Sequence, residues 1–421
     1  MRNAAASSVG AQAPELTIDH SAWERVSQAT GGAANPCFQC AACTAVCPWG
    51  EVRGDGVSIH RLIRAAQLGI EGEEDLLWLC TTCGACETLC PRGVDITRVV
   101  LGLRQLSWQQ RTTGEGLASV LWNVLGDGNP WGAPPSRRME WAQGLTLEPY
   151  TADHDFLYYT GCTGAYDPRS QRIAKSLVEV FARSGCSFGS LKEDEPCCGD
   201  AAWSLGDLAF LRHTAARNVE RFAEAGVHKL VSTSPHCNHL FATVYPQEGA
   251  EFTALHYSEL LANLLEEGRL DWARDGDPGR VRVAYHDPCY LGRKTGIFDA
   301  PRQVLAAVPG IELIEFEANR EQAVCCGGGG GRMWQETRVE DRFGNARMDE
   351  AAALAVDAVV TACPHCVTCF QDAHTSTGKR APPVFDLAEV VASGLSVGVK
   401  ALLRRPERAA RQDATPAEVD G

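Results

Sequence analysis

Two adjacent cysteines, Cys325 and Cys326, run directly into the five glycines 327–331. Adjacent thiols are poorly placed to join distant elements by a disulfide, but they suit two metal atoms of one cluster or one bridging site. Glycine carries no side chain, so the backbone beside the thiols can approach a bulky inorganic group and adopt positive φ. The stretch alone also fits a flexible glycine loop behind two buried cysteines, so the rest of the chain must distinguish the two interpretations.

Two earlier runs of cysteines share the spacing C-x2-C-x2-C-x3-C-P. The first run comprises Cys37, Cys40, Cys43 and Cys47, and the second comprises Cys80, Cys83, Cys86 and Cys90. This spacing is typical of two-cluster bacterial ferredoxins, in which the fourth cysteine of each run ligates the other cluster. It therefore predicts one [4Fe–4S] cubane on Cys37, Cys40, Cys43 and Cys90, and a second on Cys80, Cys83, Cys86 and Cys47. Paired zinc knuckles are the alternative, but zinc favours two C-x2-C pairs without a trailing proline.

The remaining cysteines fall into an internal duplication. Cys162 and Cys289 are 127 residues apart, Cys197 and Cys325 are 128 apart, and Cys237 and Cys366 are 129 apart. In each copy the cysteines follow apolar stretches that read as buried strands, with helical patterns between them. Parallel strands of an open α/β sheet present their ligand sites at their carboxyl ends, where these cysteines are expected.

The two copies differ in their number of thiols. The second offers Cys289, Cys325, Cys326, Cys363 and Cys366, and the first offers Cys162, Cys197, Cys198 and Cys237. Five thiolates exceed the four of a cubane and favour a larger or open cluster with a bridging ligand. Ser234 stands where the second copy has Cys363, and serine is a poor ligand for soft metals. The first copy is therefore expected to bind a smaller cluster, a conventional one or none.

Composition limits the function classes. A chain of 421 residues should hold two to four domains, and 19 cysteines without an apolar leader suggest metal or redox chemistry in the cytoplasm. The sequence contains no run of eighteen apolar residues that would predict a membrane span. We therefore expect any association with a membrane to be peripheral, through a partner. The net charge of −14 argues against nucleic-acid binding. The glycine run lacks the setting of a dinucleotide loop.

These patterns predict an α + α/β protein, in which a helical ferredoxin-like module precedes two duplicated α/β domains. The expected segments are a disordered N-terminus at 1–30, the ferredoxin-like domain at 31–112, a loop-like linker at 113–150, the first repeat at 151–275, the second repeat at 276–395 and a tail at 396–421.

The repeats resemble the cysteine-rich CCG domains of heterodisulfide reductases, through Cys197-Cys198-Gly199, Cys325-Cys326-Gly327 and Cys363-x-x-Cys366. With the ferredoxin module in front, residues from about 35 to 395 resemble the fused type of heterodisulfide reductase subunit, in which a small ferredoxin-like subunit is in effect joined to the catalytic subunit. The resemblance implies two cubanes and a noncubane [4Fe–4S] cluster at the second CCG site, whose five cysteines would be catalytic. Whether the first CCG site binds a further cluster is left open, because Ser234 stands where the second site has a cysteine.

Several residues have weaker claims. His236 and His365 lie in two Pro-His-Cys sequences, and they either pack at strand ends or assist cluster sulfur and leaving thiolates. His286 has the same ambiguity. Arg332 is a candidate to steer an anionic substrate, while Cys186 and Cys369 are expected to be structural, with Cys369 also weighed as a spare ligand.

The leading functional hypothesis is an iron–sulfur oxidoreductase subunit that reduces or forms a disulfide of a small thiol. The alternative is an electron-transfer subunit that links a flavoprotein, such as a glycolate or lactate oxidase or an electron-transfer flavoprotein, to a membrane cytochrome b or quinone partner. A zinc-binding scaffold is the non-enzymatic alternative.

Overall fold

The computed structural model describes residues 20–53, 57–70, 74–113, 116–273, 280–378 and 381–403. The expectation of disorder at the N-terminus is wrong for residues 20–30, which form a helix with Ala22, Val26 and Thr30 buried. Residues 1–19 and most of the expected tail, 404–421, lie outside the described residues.

The N-terminal part is helical. Its helices are α1 (His20–Thr30), α2 (Ala42–Ala45), α3 (Pro48–Arg53), α4 (Ile59–Gln67), α5 (Glu74–Leu79), α6 (Ala85–Thr88), α7 (Ile96–Gln110) and α8 (Leu117–Asp127). Helix α4 buries Ile59, Leu62, Ile63 and Ala66, the apolar face that its sequence predicts. Helix α7 begins where the Asp95 side chain accepts a hydrogen bond from the Arg98 N–H, which caps an orphan backbone donor.

Helix α8 lies inside the segment expected to be a loop-like linker. Leu117, Val120, Leu121 and Val124 repeat at helical spacing and are buried. Gly116 and Gly128 flank the helix with positive φ, of 81° and 69°. The glycines and prolines of this region therefore mark the ends of a helix rather than a continuous loop.

The first α/β unit is built on a five-stranded sheet of parallel pairs in the order β1-β3-β2-β4-β5. Its elements are β1 (Glu148–Pro149), β2 (Phe156–Tyr159), α9 (Gly161–Tyr166), α10 (Pro168–Arg183), β3 (Phe188–Ser190), α11 (Asp200–Leu205), α12 (Leu208–Glu224), β4 (Lys229–Ser232), α13 (Pro235–Thr243), β5 (Thr253–His256) and α14 (Tyr257–Glu266).

The second unit repeats this topology in a four-stranded parallel sheet, β7-β6-β8-β9. Its elements are β6 (Val281–His286), α15 (Asp299–Ala307), β7 (Ile311–Glu315), α16 (Phe343–Ala353), β8 (Ala358–Thr361), α17 (Pro364–Thr377), β9 (Val384–Asp386), α18 (Leu387–Ser396) and α19 (Lys400–Leu403). The matching strand orders β3-β2-β4-β5 and β7-β6-β8-β9 agree with the duplication that the cysteine offsets predict.

The strands place the cysteines at the carboxyl edge of each sheet. Strands β2 and β4 lead to Cys162 and Cys237, and strands β6 and β8 lead to Cys289 and Cys363. Strand β8 is fully buried, as expected for a central parallel strand. Across the described ranges, no helix combines the length and apolar character that a membrane crossing requires.

Candidate functional site

The two ferredoxin runs fold into matching loops. Ala41 and Gly84 precede the short helices α2 and α6 with φ of 65° and 75°. The sulfur of the first cysteine in each run accepts a hydrogen bond from the backbone N–H of the residue two positions later. The donor–acceptor distance is 3.4 Å for both Cys37 and Cys80. Backbone N–H groups that point at sulfur stabilise thiolate charge, which is the state needed for metal ligation.

The sulfur group formed by Cys47, Cys80, Cys83 and Cys86 is called the proximal group below. Burial raises the pKa of Cys47 to about 12, and nearby Cys80 and Cys83 contribute to the increase. Burial also raises the pKa of Cys86, with contributions from Cys83, Cys80 and Cys47. Cys47 of the first run therefore lies among the thiols of the second run, which supports the predicted exchange of the fourth ligands.

The other predicted cubane set, Cys37, Cys40, Cys43 and Cys90, is called the distal group. Burial raises the pKa of Cys43, and Cys37 and Cys40 add to the effect. Cys40 is exposed, and the adjacent apolar side chains of Phe38 and Leu89 are 59% and 51% exposed. The distal group is thus the more solvent-accessible of the two.

The second CCG site brings five buried thiols together: Cys289, Cys325, Cys326, Cys363 and Cys366. The sulfur atoms of Cys326 and Cys366 are 3.3 Å apart. Contacts with Cys289 and Cys326 are the largest causes that raise the pKa of Cys325. The Cys325 sulfur also accepts a hydrogen bond from the Gly327 N–H at 3.3 Å.

Cys325 also joins this site to the proximal group. Its contact with the Cys83 thiol is the largest cause of the raised pKa of Cys83, followed by burial. The Cys325 sulfur lies 3.6 Å from the Thr81 hydroxyl, which belongs to the same ferredoxin loop. The second CCG site and the proximal group therefore adjoin each other directly.

The first CCG site holds four buried thiols and an arginine. The Cys198 and Cys237 sulfurs are 3.2 Å apart. Arg138 approaches the Cys162 sulfur at 3.8 Å and forms a buried ion pair with Glu195 at 2.8 Å. The hydroxyl of Ser234, which stands where the second unit has Cys363, accepts a hydrogen bond from the His236 N–H at 3.3 Å and caps helix α13.

A buried polar chain crosses between the two CCG units. Asp200 lies 3.3 Å from His236, and both belong to the first unit, yet His236 also interacts with the thiol of Cys363 in the second unit. Burial disfavours the charged form of His236, but the nearby Asp200 and Cys363 outweigh the effect of burial and raise the pKa of His236. The His236 ring stacks on Tyr290 at 3.8 Å between centroids.

The other candidate histidines make fewer polar contacts, since both ring nitrogens of His286 and Nδ1 of His365 are buried without a hydrogen-bond partner among the described residues. His365 Nε2 lies 3.1 Å from the Thr163 hydroxyl, and burial lowers the pKa of His365 to about 3, with the charge on His236 adding to the effect. His286 packs edge-on against Phe370 at 4.7 Å, and burial holds its pKa well below the usual range. His236, rather than His365 or His286, is thus the histidine that meets a predicted ligand.

The glycine run does more than line a cluster cavity. A Cβ on Gly329 would overlap the carbonyl oxygen of Thr81, and a Cβ on Gly330 would overlap that of Cys80. A Cβ on Gly331 would lie 2.5 Å from Leu205 of the first CCG unit. Besides any approach to a cluster, these three glycines therefore allow three parts of the chain to meet.

We expect Gly329→Ala to destabilise the protein by about 1–3 kcal/mol, because the added methyl group must displace backbone rather than a flexible side chain. The free energy of unfolding, or the midpoint of thermal unfolding of the cluster-loaded protein, measures this effect. Gly126→Ala in helix α8 is the matched control, since its Cβ would meet nothing within 4 Å. Equal unfolding midpoints for the two variants would contradict the tight contact at Gly329.

A cavity of about 240 Å³ opens beside the second CCG site. Cys326, Arg332 and Cys369 line it, and Trp49 of helix α3 closes one side. The Arg332 guanidinium is buried and donates to Gln335 Oε1 and Thr337 Oγ1, both at 2.6 Å. Cys369 therefore faces the cavity instead of lying wholly in the core.

The remaining cysteine, Cys186, lies outside these sites. It is half-buried, and its sulfur lies 3.7 Å from the guanidinium of Arg269.

The donor set fits iron–sulfur clusters. Burial and neighbouring thiols raise the pKa values of most cysteines in these groups, so thiolates there require a cationic partner such as iron. Sulfur donors with backbone N–H support are typical ligands of such clusters. Within the described ranges, no three His, Cys, Asp or Glu side chains converge on a point that would hold a single metal ion, so the fit rests on the chemistry and the grouping of the thiols. The cysteines of the proximal group, the distal group and the second CCG site would hold such clusters.

Sequence reasoning missed several residues around these thiols. Asp200, Tyr290 and Arg138 carry no spacing signal, because their partners are remote in the chain. Arg104 is another: its fully buried guanidinium donates to the carbonyl oxygens of Leu77, Cys80, Ser204 and Gly330. For Arg104, the one hint in the sequence was the position of an arginine on the apolar, buried side of helix α7.

Comparisons with known families agree with this organisation. A family model described as "4Fe-4S dicluster domain" matches residues 33–94. A second family model, "Cysteine-rich domain", matches residues 156–242 and 283–371.

Curated relatives share most of the chain. The HdrD subunit of the dihydromethanophenazine:CoB–CoM heterodisulfide reductase of Methanosarcina mazei is 30% identical over 342 residues, covering 79% of this chain and 81% of the relative. The "EtfAB:quinone oxidoreductase" of Syntrophomonas wolfei is 34% identical over 334 residues, covering 75% of this chain. The "Probable iron-sulfur-binding oxidoreductase FadF" of Bacillus subtilis is 31% identical over 333 residues, covering 76% of this chain.

The chain spans about half the length of the last two relatives, 46% and 47% respectively. The match to the heterodisulfide reductase protein HdrD, in contrast, extends over four-fifths of that relative. Both the 4Fe–4S dicluster domain and the repeated cysteine-rich domain are matched in this chain. The chain therefore belongs to the HdrD-like family of heterodisulfide reductase iron–sulfur proteins, with a 4Fe–4S dicluster domain followed by two CCG domains.

Proposed function

We propose that this chain is an oxidoreductase subunit that passes electrons through two [4Fe–4S] cubanes to a noncubane [4Fe–4S] cluster at the second CCG site, where a small thiol or disulfide reacts. The observation that carries the proposal is the contact between Cys83 of the proximal group and Cys325 of the second CCG site. A shared boundary between two ligand sets is what a short electron path requires.

The geometry supports an order for the electron path. The distal group includes the exposed Cys40, so it is the natural point of exchange with a partner. The proximal group lies between it and Cys325, through the pairing of the two ferredoxin loops and the Cys83–Cys325 contact. Electrons would therefore pass from the distal to the proximal group and then to the second CCG site, or in reverse for thiol oxidation.

A bound noncubane cluster would supply a metal–sulfur centre that exchanges electrons one at a time. The overall reaction is RS–SR′ + 2e⁻ + 2H⁺ → RSH + R′SH, in which the S–S bond breaks and two S–H bonds form. The cavity beside Cys326 gives such a substrate access to the site. Arg332 would orient an anionic group of the substrate there, and His236 would hold Cys363 by a hydrogen bond to its sulfur.

The first CCG site remains a candidate for a further cluster. Its four thiols suffice for a cubane, and Arg138 would offset negative charge on Cys162. The serine at position 234 supports a different cluster type from that of the second site, because its hydroxyl is engaged in the cap of α13.

The proposal is tested by electron paramagnetic resonance of the oxidised, cluster-loaded protein during titration with candidate thiols, beginning with coenzyme-type thiols that carry anionic groups. We expect a paramagnetic signal that appears only with the reactive thiol, together with acid-labile sulfide and iron in the metal analysis. Absence of any thiol-dependent signal would contradict disulfide chemistry, and zinc without labile sulfide would favour the scaffold alternative.

The second candidate is an electron-transfer subunit without a substrate of its own, linking a flavoprotein to a membrane quinone or cytochrome b partner. The similarity to a protein named EtfAB:quinone oxidoreductase favours it, as do the exposed Phe38 and Leu89 beside the distal group. Purification of the native complex and identification of its subunits would separate the two functions. A flavoprotein and a membrane partner, with no thiol-dependent signal, would favour the second.

A further inference from the structure

A large groove lies between the ferredoxin module and the first CCG unit. Its volume is about 830 Å³, and helix α7 lines one side while α12 and α13 line the other. Pockets of several hundred cubic ångströms are the usual size for small-molecule sites. None of the cysteines of the proximal, distal or CCG sites is among its lining residues.

The groove is positively charged in a chain whose net charge is −14. Arg98 and Arg212 lie on opposite sides of it, and Arg25 also lines it. Lys294 lines the groove as well, but its ammonium group is paired with Glu87 at 3.0 Å. Asp95 is the only acidic side chain along the groove within the described residues, and its carboxylate is engaged in capping α7. Guanidinium groups that flank a groove are well suited to phosphate, which they bind by paired hydrogen bonds.

The inner part of the groove is aromatic and has an unused hydrogen-bonding group. Trp203 and His239 line it, and their rings meet edge to face at 5.1 Å. Both side chains are 8% exposed. His239 Nδ1 is buried and has no hydrogen-bond partner within the described part of the chain. A buried polar atom of this kind costs free energy unless a ligand or an ordered water satisfies it.

We propose that this groove binds a planar heterocycle that carries a phosphate group, a ligand of the nucleotide class. The ring would lie at Trp203 and His239, with the imidazole hydrogen-bonding to a ring heteroatom. The phosphate would lie toward Arg98 and Arg212. Neither the cluster chemistry nor the identity of the redox substrate is needed for this inference.

The floor of the groove approaches the ferredoxin loops through one aromatic residue. His239 and Trp203 contact Tyr290 with ring centroids 5.6 Å and 5.8 Å away. The Tyr290 hydroxyl is 2.6 Å from Thr82 Oγ1, between Cys80 and Cys83 in sequence. A ligand in the groove would therefore be close to the proximal group without contacting its thiols.

Isothermal titration calorimetry of the full-length, cluster-loaded protein with flavin mononucleotide and with riboflavin tests the proposal. The two probes share a planar ring and differ in the phosphate. We expect flavin mononucleotide to bind at least about tenfold more tightly than riboflavin, because charge-assisted hydrogen bonds to the arginines would be lost without the phosphate. Equal affinities, or no measurable binding of flavin mononucleotide, would overturn the proposal.

Variants assign the binding to this groove. Arg98→Gln combined with Arg212→Gln should reduce the affinity for flavin mononucleotide to that for riboflavin, while His239→Phe should weaken both probes alike. Arg217→Gln is the control, since Arg217 lies on the same helix as Arg212 but lines a different cavity. An equal loss of affinity in Arg217→Gln, or none in the double variant, would place the ligand elsewhere and refute the assignment.

Discussion

Replacement of Cys325 by serine is expected to abolish the thiol-dependent signal and the disulfide activity, while both cubane signals persist. Cys325 is the thiol that contacts Cys289, Cys326 and Cys83 together. Serine retains the size but is a poor ligand for soft metals, so the second CCG site would lose the ligand at its centre. Electron paramagnetic resonance of the reduced protein counts the cubanes, and titration with thiol reports the CCG site.

Cys197→Ser provides the matched control, since Cys197 is the counterpart of Cys325 in the first repeat and contacts Cys162 and Cys198. We expect this variant to keep the thiol-dependent signal. Loss of the signal in Cys197→Ser with retention in Cys325→Ser would assign the chemistry to the first site. Full activity of Cys325→Ser would contradict the proposed role of the second site.

The parts of the site that the sequence predicts are those fixed by local spacing. The C-x2-C-x2-C-x3-C-P runs place their thiols within one loop, so the fold has little freedom to separate them. The near-equal offsets at Cys162, Cys197 and Cys237 predict a repeated sheet because a duplicated topology preserves the strand ends that carry the cysteines.

The parts that were not predictable depend on contacts between distant segments. His236 belongs to the first repeat by sequence, but its side chain interacts with the Cys363 thiol in the second. Packing of the two repeats, rather than any motif, brings them together. The glycine run shows the same limit: close backbone approach was foreseeable from Gly329, but its partner, the Thr81 carbonyl, was not. Helix α8 was missed because its flanking glycines suggested loops.

Arg104→Met is expected to produce the largest loss of stability among the variants outside the cysteines. The guanidinium is fully buried and donates to the carbonyl oxygens of Leu77, Cys80, Ser204 and Gly330. These carbonyls come from the ferredoxin module and both CCG units. Each buried acceptor left unsatisfied costs about 1–3 kcal/mol, partly offset by the removal of a buried charge, so we expect a net loss of several kcal/mol.

The same variant should lower the reduction potential of the proximal cubane. Burial lowers the pKa of Arg104 to about 10, so the side chain remains cationic at neutral pH, and Cys80 is the largest neighbour that favours its charge. Addition of an electron makes a cluster more negative, and a nearby cation stabilises that state more than the oxidised one. Removal of the cation therefore disfavours reduction.

Thermal unfolding and a redox titration monitored by electron paramagnetic resonance separate the two effects of Arg104. Arg104→Lys keeps the charge but offers fewer donors, so it should retain most of the potential while losing part of the stability. Arg98→Met, on the exposed side of the same helix, should leave both quantities close to those of the unmodified protein. A potential unchanged in Arg104→Met would show that Arg104 joins the modules without tuning the cluster. An unfolding midpoint equal to that of Arg98→Met would refute its role at the junction of the three units.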